Sequence, residues 1–587
     1  MPGHAMTMHP GASRRRAEAG SHAGAPRPRA RAAAWVALAG LVALFGARLV
    51  HVAAVKSLTA DEPHYIGTAL YLWETGDYHP ARSLRFHPPL AYHLAGLPLL
   101  ALDLRGYERT ADLGHRLVQG SEPGPARVRF VSRLPFVALA CWGAVLVFLW
   151  GLEAAGPGAA VLGAFLYAFS PTLLGHGALA HSDIAVAVLF LQTLYLFWRW
   201  ARRPGAVRLA LCGISLGLAL SAKLSALLLL PVLGLELAAL AFGVRALVPG
   251  AAPVAPGAGA ARVAWLLARG AALGACAAAV VWASYGGSFA WSEGGGRLAG
   301  VPIPGYLHAL LFDRAANEAG RVTFFFGAHD RGGRWYALLV AFLVKTPLPF
   351  LALLGAAVFA GRRRAPALGP WLGLALAVYG AVALFWLKVP LGIRYLLPAI
   401  PLLHVFTAVR IGIPARRLPR ALVALACAAV AAESAWIHPH HIAYFNPLVG
   451  GPARGYRALV ESNLDWGQDA LTLARELEAR GNPAVWLAYL GPERPERYGV
   501  RARPLRGCAP VEGLVAISAN VLQRLYDPDN PFRQPPPGCY DWLLAREPAG
   551  SAGYSILLYD VEDGSERDDG AAGPSGGPAR APRPPSG

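Results

Sequence analysis

Charge is scarce in this sequence: Asp, Glu, Lys and Arg make up 15% of its 587 residues. Soluble domains carry roughly 25%, so a wholly water-soluble chain is excluded. Acidic residues are scarcer than basic ones, 35 against 54, which leaves a formal charge of +19. Such an excess raises the question of a nucleic-acid partner. The arginines, however, stand mostly in short clusters between apolar runs, and no basic face interleaved with aromatics is present. No nucleic-acid partner is expected. The sequence also lacks a GxxxxGK(S/T) phosphate loop, a GxSxG elbow and an HExxH pair; GLALSAKLS at 217–225 misses the second glycine and lies in an apolar run. Cysteines number six, without zinc-like Cys/His spacing. Cys141, Cys212, Cys276 and Cys427 lie in apolar runs and read as packing residues. Cys508 and Cys539 lie in a polar segment, where an oxidising exterior would permit a disulfide.

What is abundant is apolar sequence, 55% of the chain. A basic segment, residues 1–33, reads as a disordered cytoplasmic tail. The run at about 35–55 after it is too long for a signal-peptide core and lacks an obvious cleavage site, so it reads as an uncleaved anchor. Further runs lie near 131–150, 158–177, 183–199, 208–222, 224–243, 263–284, 335–359, 368–387, 395–411 and 420–437. Several approach or exceed the roughly 20 residues that span a bilayer. The fold expected is mainly α, polytopic, with about eleven transmembrane helices over residues 34–438. Lys223 divides 208–243 into two short pieces, so a broken or re-entrant helix is possible there.

The basic clusters RWARRPGAVR (199–208), Arg245 with Arg262, GRRRA (361–365) and RIGIPARRLPR (410–420) all fall on the cytoplasmic side of this count. Arg127, Arg129 and Arg133 are exceptions on the outer side. The large polar segments then face outward: loops 56–130 and 285–334, and a soluble domain at 439–562. In that domain LDWGQDALTLARELEARGN (464–482) reads as a helix with Asp465 as N-cap and Gly481 past its end. PAVWLAYL, GLVAISA and SILLYDV read as strands, giving a small α/β domain. Residues 563–587 read as a disordered tail. The expected location is the cell's inner (plasma) membrane.

Three features suggest chemistry. Asp61 and Glu62 follow the first span, ahead of an amphipathic stretch, HYIGTALYLW, that could lie along the interface. His87 follows in RFHPPLAYHLAGLPLLAL. A carboxylate held there would be partly desolvated, which raises its basicity and suits a general base. Solvated loop residues are the plain alternative. Second, LAHSDIAV (179–186) is a short outer turn that places His181 and Asp183 where the chain reverses; Ser182 or Asp183 would also serve as a helix cap. Third come cations near outer helix ends: Lys345 in FLVKTPLPF, then Lys388 and Arg394, with Tyr395, in LKVPLGIRYLLPAIP. Snorkelling is the usual reading of such charges. Lys345, however, lies inside a long apolar run, and intramembrane charges usually face a cavity. Lysine and arginine together suit a lipid phosphate.

These residues carry a resemblance. ADEPHY, HPPL, HSD, KTP and RYLLPAIP, in that order, resemble the polyprenyl-phosphate-dependent glycosyltransferases of the C superfamily, above all the bacterial relatives of protein O-mannosyltransferases and of the lipid A aminoarabinose transferase. YFNPLVGG (444–451) and SNLDWGQD (462–469) are similar to a signature of phospholipid-carrier-dependent glycosyltransferases. The resemblance covers roughly residues 35–545. It implies a membrane glycosyltransferase, hexosyl or pentosyl, with an inverting single displacement. The donor would be a polyprenyl-phosphate sugar and the acceptor a protein, lipid or polysaccharide. Asp61 would be the base on the acceptor and Asp183 the second acidic position. Lys345, Lys388 and Arg394 would hold the donor phosphate, with Glu62, His87, His181 and Tyr395 around the substrates. No cofactor is implied, and no metal is expected for want of a third acidic ligand. Trp466 of SNLDWGQD would stack on a sugar or be buried at a helix start. The rival reading is a transporter or flippase of a lipid-linked sugar, which predicts internal repeats that are not evident.

Overall fold

The structure is a computed structural model. It describes residues 28–562 except 77, 79–86, 105–123, 253–256, 258, 288–303, 360–367, 390, 415 and 529–532. Residues 1–27 and 563–587 of the two tails read from the sequence lie outside the described residues, whereas residues 28–33, expected to be disordered, are helical.

The helices in chain order are α1 (Pro28–Val55), α2 (Glu62–Thr75), α3 (Leu90–Gly96), α4 (Pro125–Ala155), α5 (Pro157–Ala168), α6 (Pro171–His176), α7 (Ser182–Arg202), α8 (Ala206–Ala222), α9 (Leu229–Phe242) and α10 (Ala260–Ser284). There follow α11 (Pro304–Ala319), α12 (Ala337–Lys345), α13 (Leu348–Phe359), α14 (Leu368–Phe385), α15 (Ala399–Ile411), α16 (Arg417–Trp436) and α17 (Ala470–Ala479). Each of the eleven apolar runs is helical. Among the described residues seven helical stretches are long and apolar enough to cross a membrane, eight if α12 and α13 form one bent span; α5, α8 and α15 are apolar but shorter.

Several runs depart from straight spans, and the one at 158–177 is divided into α5 and α6 at Phe169 and Ser170. The run at 335–359, expected to be one helix, bends by 114° between α12 and α13. Pro347 and Pro349 lie at the bend, where proline's missing N–H interrupts the helical ladder. The Asn446 side chain caps this break, donating from Nδ2 to Leu343 O at 2.6 Å and to Thr346 O at 2.9 Å. The expected break at Lys223 is present: its backbone is extended between α8 and a 3₁₀ turn, Leu224–Leu228.

The polar C-terminal segment folds around a five-stranded sheet. Its strands are β3 (Val485–Ala488), β4 (Ala502–Pro504), β5 (Gly513–Ser518), β6 (Gly550–Ala552) and β7 (Ile556–Val561), in the order β4-β3-β5-β7-β6. β3 pairs in parallel with β4 and β5; β7 pairs antiparallel with β5 and β6, Val515 opposite Tyr559. The period-2 alternation of strands divides its side chains between two cores. Ile556 and Leu558 join Leu473 and Leu477 of α17 on one face. Leu557 and Tyr559 join Val344, Phe445 and Leu464 on the other, which ties the sheet to the helical body. Cys508 and Cys539 are disulfide-bonded. A short hairpin, β1 (Thr323–Phe325) with β2 (Ala328–Asp330), joins that core through Phe324.

One expectation needs correction here. Asp465 is not the N-cap of α17; Asp469 holds that position. Residues 466–468 run instead as a strap beside the first loop, Ser57 N donating to Gln468 O at 3.0 Å and Ala60 N to Trp466 O at 2.8 Å.

Candidate active site

Three turns and one helix break meet at the site. Asp61 is the residue before α2. His181 is the N-cap of α7 and Asp183 lies in its first turn. Arg394 belongs to the 3₁₀ turn Ile393–Leu396, and Lys223 to the break after α8. Their side chains form one charged cluster. Arg394 Nη1 lies 3.1 Å from Asp61 Oδ2 and 3.7 Å from Asp183 Oδ2. His181 Nε2 lies 3.1 Å from Asp61 Oδ2, and its Nδ1 2.9 Å from Asp183 Oδ2. Lys223 Nζ pairs with Asp183 Oδ1.

The titration directions agree with this geometry. Burial opposes a charge on His181, yet Asp183 and Asp61 outweigh it and raise its pKa. The ring lies between the two carboxylates, with its Nδ1 also 3.3 Å from the Asp183 amide. Burial also works against the Asp61 carboxylate, but the hydrogen bond from His181 and the Arg394 guanidinium hold its pKa well below the usual range. Partial desolvation was expected to make Asp61 more basic; its cationic neighbours do the reverse. The cluster thus sets Arg394 and Lys223 against Asp61 and Asp183, with the His181 ring between the two carboxylates. Asp61 is the member open to solvent, with 42% of its side chain exposed, while the other four are buried or nearly so. Arg394 Nε is buried without a hydrogen-bond partner among the described residues, and so is His87 Nδ1.

Aromatic rings wall the cluster. Trp466 stands 5.1 Å from His181, edge to face, and carries the Arg394 guanidinium 4.4 Å above its ring. Tyr65 stacks on Tyr92 at 4.8 Å and bonds Ser182 Oγ at 2.9 Å. His87 stacks on Tyr65 at 6.1 Å. Tyr395 lies under Lys223, with Nζ 5.1 Å from its centroid.

Three residues expected around substrate sit otherwise. Glu62 is wholly buried, held by Arg133 Nε at 2.7 Å and Nη2 at 2.6 Å, and accepts from the Thr59 and Ala180 amides. Its carboxylate has no free face; it fixes the turn that presents Asp61. Lys345 is buried at the α12–α13 bend, where Nζ donates to Ile442 O at 2.6 Å and to Asn463 O. Its Nζ is engaged by backbone carbonyls and not turned to the charged cluster. Lys388 is exposed and makes no ion pair among the described residues. Sequence reasoning marked Lys223 as a helix break and not as a partner of Asp183. Its position inside an apolar run was the available signal.

Of the three arginines that broke the expected topology pattern, Arg129 and Arg133 are structural and Arg127 is exposed. Arg133 holds Glu62, and Arg129 Nη1 donates to Glu493 Oε1 at 2.9 Å. Glu493 in turn accepts from Leu58 N at 2.8 Å, Lys56 pairs with Asp469, and Leu471 N donates to Ser57 Oγ at 2.8 Å. Gly553 allows the approach, since a Cβ there would stand 2.3 Å from Asp469 Oδ1. On the other side Asn463 Oδ1 accepts from Ile393 N at 3.0 Å, beside Arg394. Through residues 462–469 and Glu493, the C-terminal domain grips both the loop that carries Asp61 and the turn that carries Arg394.

No curated protein sequence matches the chain. Among solved structures it is similar to ArnT from Cupriavidus metallidurans in the apo state, at 16% identity over 77% of this chain and 73% of that one, with a TM-score of 0.42. The same protein bound to undecaprenyl phosphate gives 12% identity over 89% and 97%, with a TM-score of 0.44. The Archaeoglobus fulgidus oligosaccharyltransferase AglB, in complex with an inhibitory peptide and a dolichol-phosphate, gives 14% over 75% and 58%, with a TM-score of 0.41. Residues 39–279 match the family described as dolichyl-phosphate-mannose-protein mannosyltransferase, so the resemblance that the motifs carry holds over the stretch containing Asp61, His181, Asp183 and Lys223.

Proposed function

We propose that this protein is an inverting glycosyltransferase of the inner membrane, moving a hexosyl or pentosyl group from a polyprenyl-phosphate carrier to an acceptor on the outer face. The carrier cannot leave the bilayer, because each buried methylene is worth about 0.8 kcal/mol. The reaction must therefore come to the membrane surface. The Asp61–His181–Asp183–Lys223–Arg394 cluster, with Asp61 open to solvent and Arg394 Nε unpartnered among the described residues, is the observation that carries this reading.

In this mechanism the carrier phosphate binds Arg394. The acceptor oxygen or nitrogen forms its bond to the anomeric carbon from the opposite side as the carbon–oxygen bond to phosphate breaks. The electron pair goes to the phosphate oxygen, where Arg394 and His181 stabilise the developing charge. The acceptor's proton goes to Asp61. Phosphate binding draws Arg394 away from Asp61, which restores basicity to the carboxylate when a donor is in place. Asp183 holds His181 and Lys223 in position.

The proposed layout keeps residues 1–33 in the cytoplasm and residues 439–562 outside, where the Cys508–Cys539 disulfide persists. Removing the gene product and profiling envelope glycans by mass spectrometry tests the function. The expected result is the loss of one glycan, restored by the wild type and not by Asp61→Asn at equal membrane abundance. Full restoration by Asp61→Asn would remove Asp61 from the mechanism.

A further inference from the structure

A second basic site lies at the other end of α7. That helix begins at Ser182, in the charged cluster, and runs 21 residues to Arg202, about 30 Å away at 1.5 Å per residue. Where α7 ends and α8 begins there is a cavity of about 490 Å³, lined by Leu196, Arg199, Val207, Arg208 and Leu211 among others. Arg199, Arg202, Arg203 and Arg208 fall within ten residues of sequence.

Few groups neutralise them. Arg199 Nε lies 3.5 Å from Glu153 Oε1 and leaves 44% of its side chain exposed. Arg208 Nη1 donates to Arg203 O at 2.9 Å, and Arg202 covers the Trp198 ring at 4.6 Å. With Glu153 as the acid in contact, the four arginines keep an excess of three positive charges. The surface next to the cavity is apolar: Val207, Leu211 and Ile214 are exposed along α8. A ligand that matches both parts has an anionic head for the arginines and an acyl chain for α8.

We propose that this groove binds the headgroup of an anionic bilayer phospholipid, its phosphate held by Arg199 and Arg208 and an acyl chain laid along Val207, Leu211 and Ile214. A volume of 490 Å³ takes a glycerophosphate headgroup, whereas an isolated phosphate would leave the apolar wall uncovered. A basic pocket between helix ends at the membrane surface is the arrangement that captures such lipids. Guanidinium suits it through its fork of donors. The site is separate from the catalytic cluster and does not rest on the proposed transferase activity.

Native mass spectrometry of the full-length protein in detergent tests the assignment, with cardiolipin, phosphatidylglycerol and phosphatidylethanolamine titrated in turn. The expected order is both anionic lipids above the zwitterionic one. Arg199→Gln with Arg208→Gln should weaken the anionic lipids roughly thirtyfold. Arg199→Lys with Arg208→Lys should retain part of the binding. Arg208→Gln alone, which leaves the Arg199–Glu153 pair intact, should weaken it less and serves if the double variant does not fold. Binding of undecaprenyl phosphate should be unchanged in all three, since that probe reports on Arg394. Equal cardiolipin retention by wild type and the glutamine variants, equal affinity for phosphatidylethanolamine, or displacement of the lipid by inorganic phosphate would each overturn the proposal.

Discussion

Replacing Arg133 by methionine should destabilise the protein more than almost any other single change near the site. Arg133 and Glu62 are both fully buried and share two hydrogen bonds. The guanidinium also donates to Ala53 O at 3.0 Å, Lys56 O at 2.9 Å and Ser57 O at 2.7 Å. Removing one partner of such a pair strands the other charge and costs about 3–5 kcal/mol. After Arg133→Met, Glu62 keeps only the Thr59 amide and hydroxyl and the Ala180 amide. Ala53 O in the last turn of α1, and Lys56 O and Ser57 O in the loop before Asp61, lose a donor as well. Glu62→Gln in the same background neutralises the stranded carboxylate, so the double variant should be less destabilised than the sum of the singles by about 1–3 kcal/mol. Thermal and denaturant unfolding of the four proteins in one detergent measures the cycle. Loss of carrier-phosphate binding should accompany Arg133→Met, because the turn before α2 presents Asp61. The reasoning fails if Arg133→Met lies within about 1 kcal/mol of wild type, or if the two singles simply add.

Arg394→Ala should weaken undecaprenyl phosphate binding by tenfold or more, on the order of one charge-assisted contact, and Lys388→Ala by less; equal affinity of Arg394→Ala and wild type in a binding titration refutes the phosphate role. Lys345→Met should cost about 1–3 kcal/mol through the orphaned Ile442 and Asn463 carbonyls while sparing carrier affinity, measured by melting and binding side by side. His181 has a raised pKa, so its charge is complete at low pH and is lost as pH rises through the folded value. Its stabilising contribution and its support for phosphate binding should fall in that direction, as pH rises above the ordinary histidine value of about 6.5. His181→Gln, in which the lipid phosphate titrates identically, should lose this pH dependence; an unchanged profile in the variant removes His181 as its source.

Much of this was legible along the chain, and what was not had a physical cause. Apolar length alone locates eleven helical runs, and β-branched runs bounded by turns locate β3, β5 and β7. The three-residue strands β1, β2, β4 and β6 are too short to display alternation. The pairing of Asp61 with Arg394 spans 333 positions, yet both residues were identifiable because each is an ionisable group beside an apolar run. Lys223 met the same criterion, but its partner is fixed by a helix break and no local pattern announces it. Glu62 shows the converse: adjacency to Asp61 suggested a shared role, and α2 turns the two carboxylates to opposite environments. Trp466 is buried as the plain reading had it, though α17 starts only at Ala470 and the indole lies against Arg394 and His181.

The position of residues 462–469 has a consequence for how the proposed reaction is controlled. A carboxylate able to deprotonate an acceptor can equally deprotonate water, and a lipid-linked sugar exposed to such a base would be wasted by hydrolysis. In the proposed mechanism Asp61 is held inactive as a base by the cation that the donor must use. Arg394 binds Asp61 at 3.1 Å and rests on Trp466, while the Trp466 carbonyl holds the Ala60 amide next to Asp61. One segment of the C-terminal domain therefore fixes both members of the pair, so their separation is set by rigid packing and not by two independent loops. A phosphate that attracts Arg394 needs only a small shift of the guanidinium across the indole to release Asp61, with no domain motion. If the strap were loosened, for instance by Asp469→Ala, which removes the Lys56 pair at its far end, Asp61 and Arg394 would part without a donor present. The proposed mechanism then requires that donor hydrolysis by water rise relative to transfer in that variant. A fall of both activities in equal proportion would show that the strap only maintains the fold.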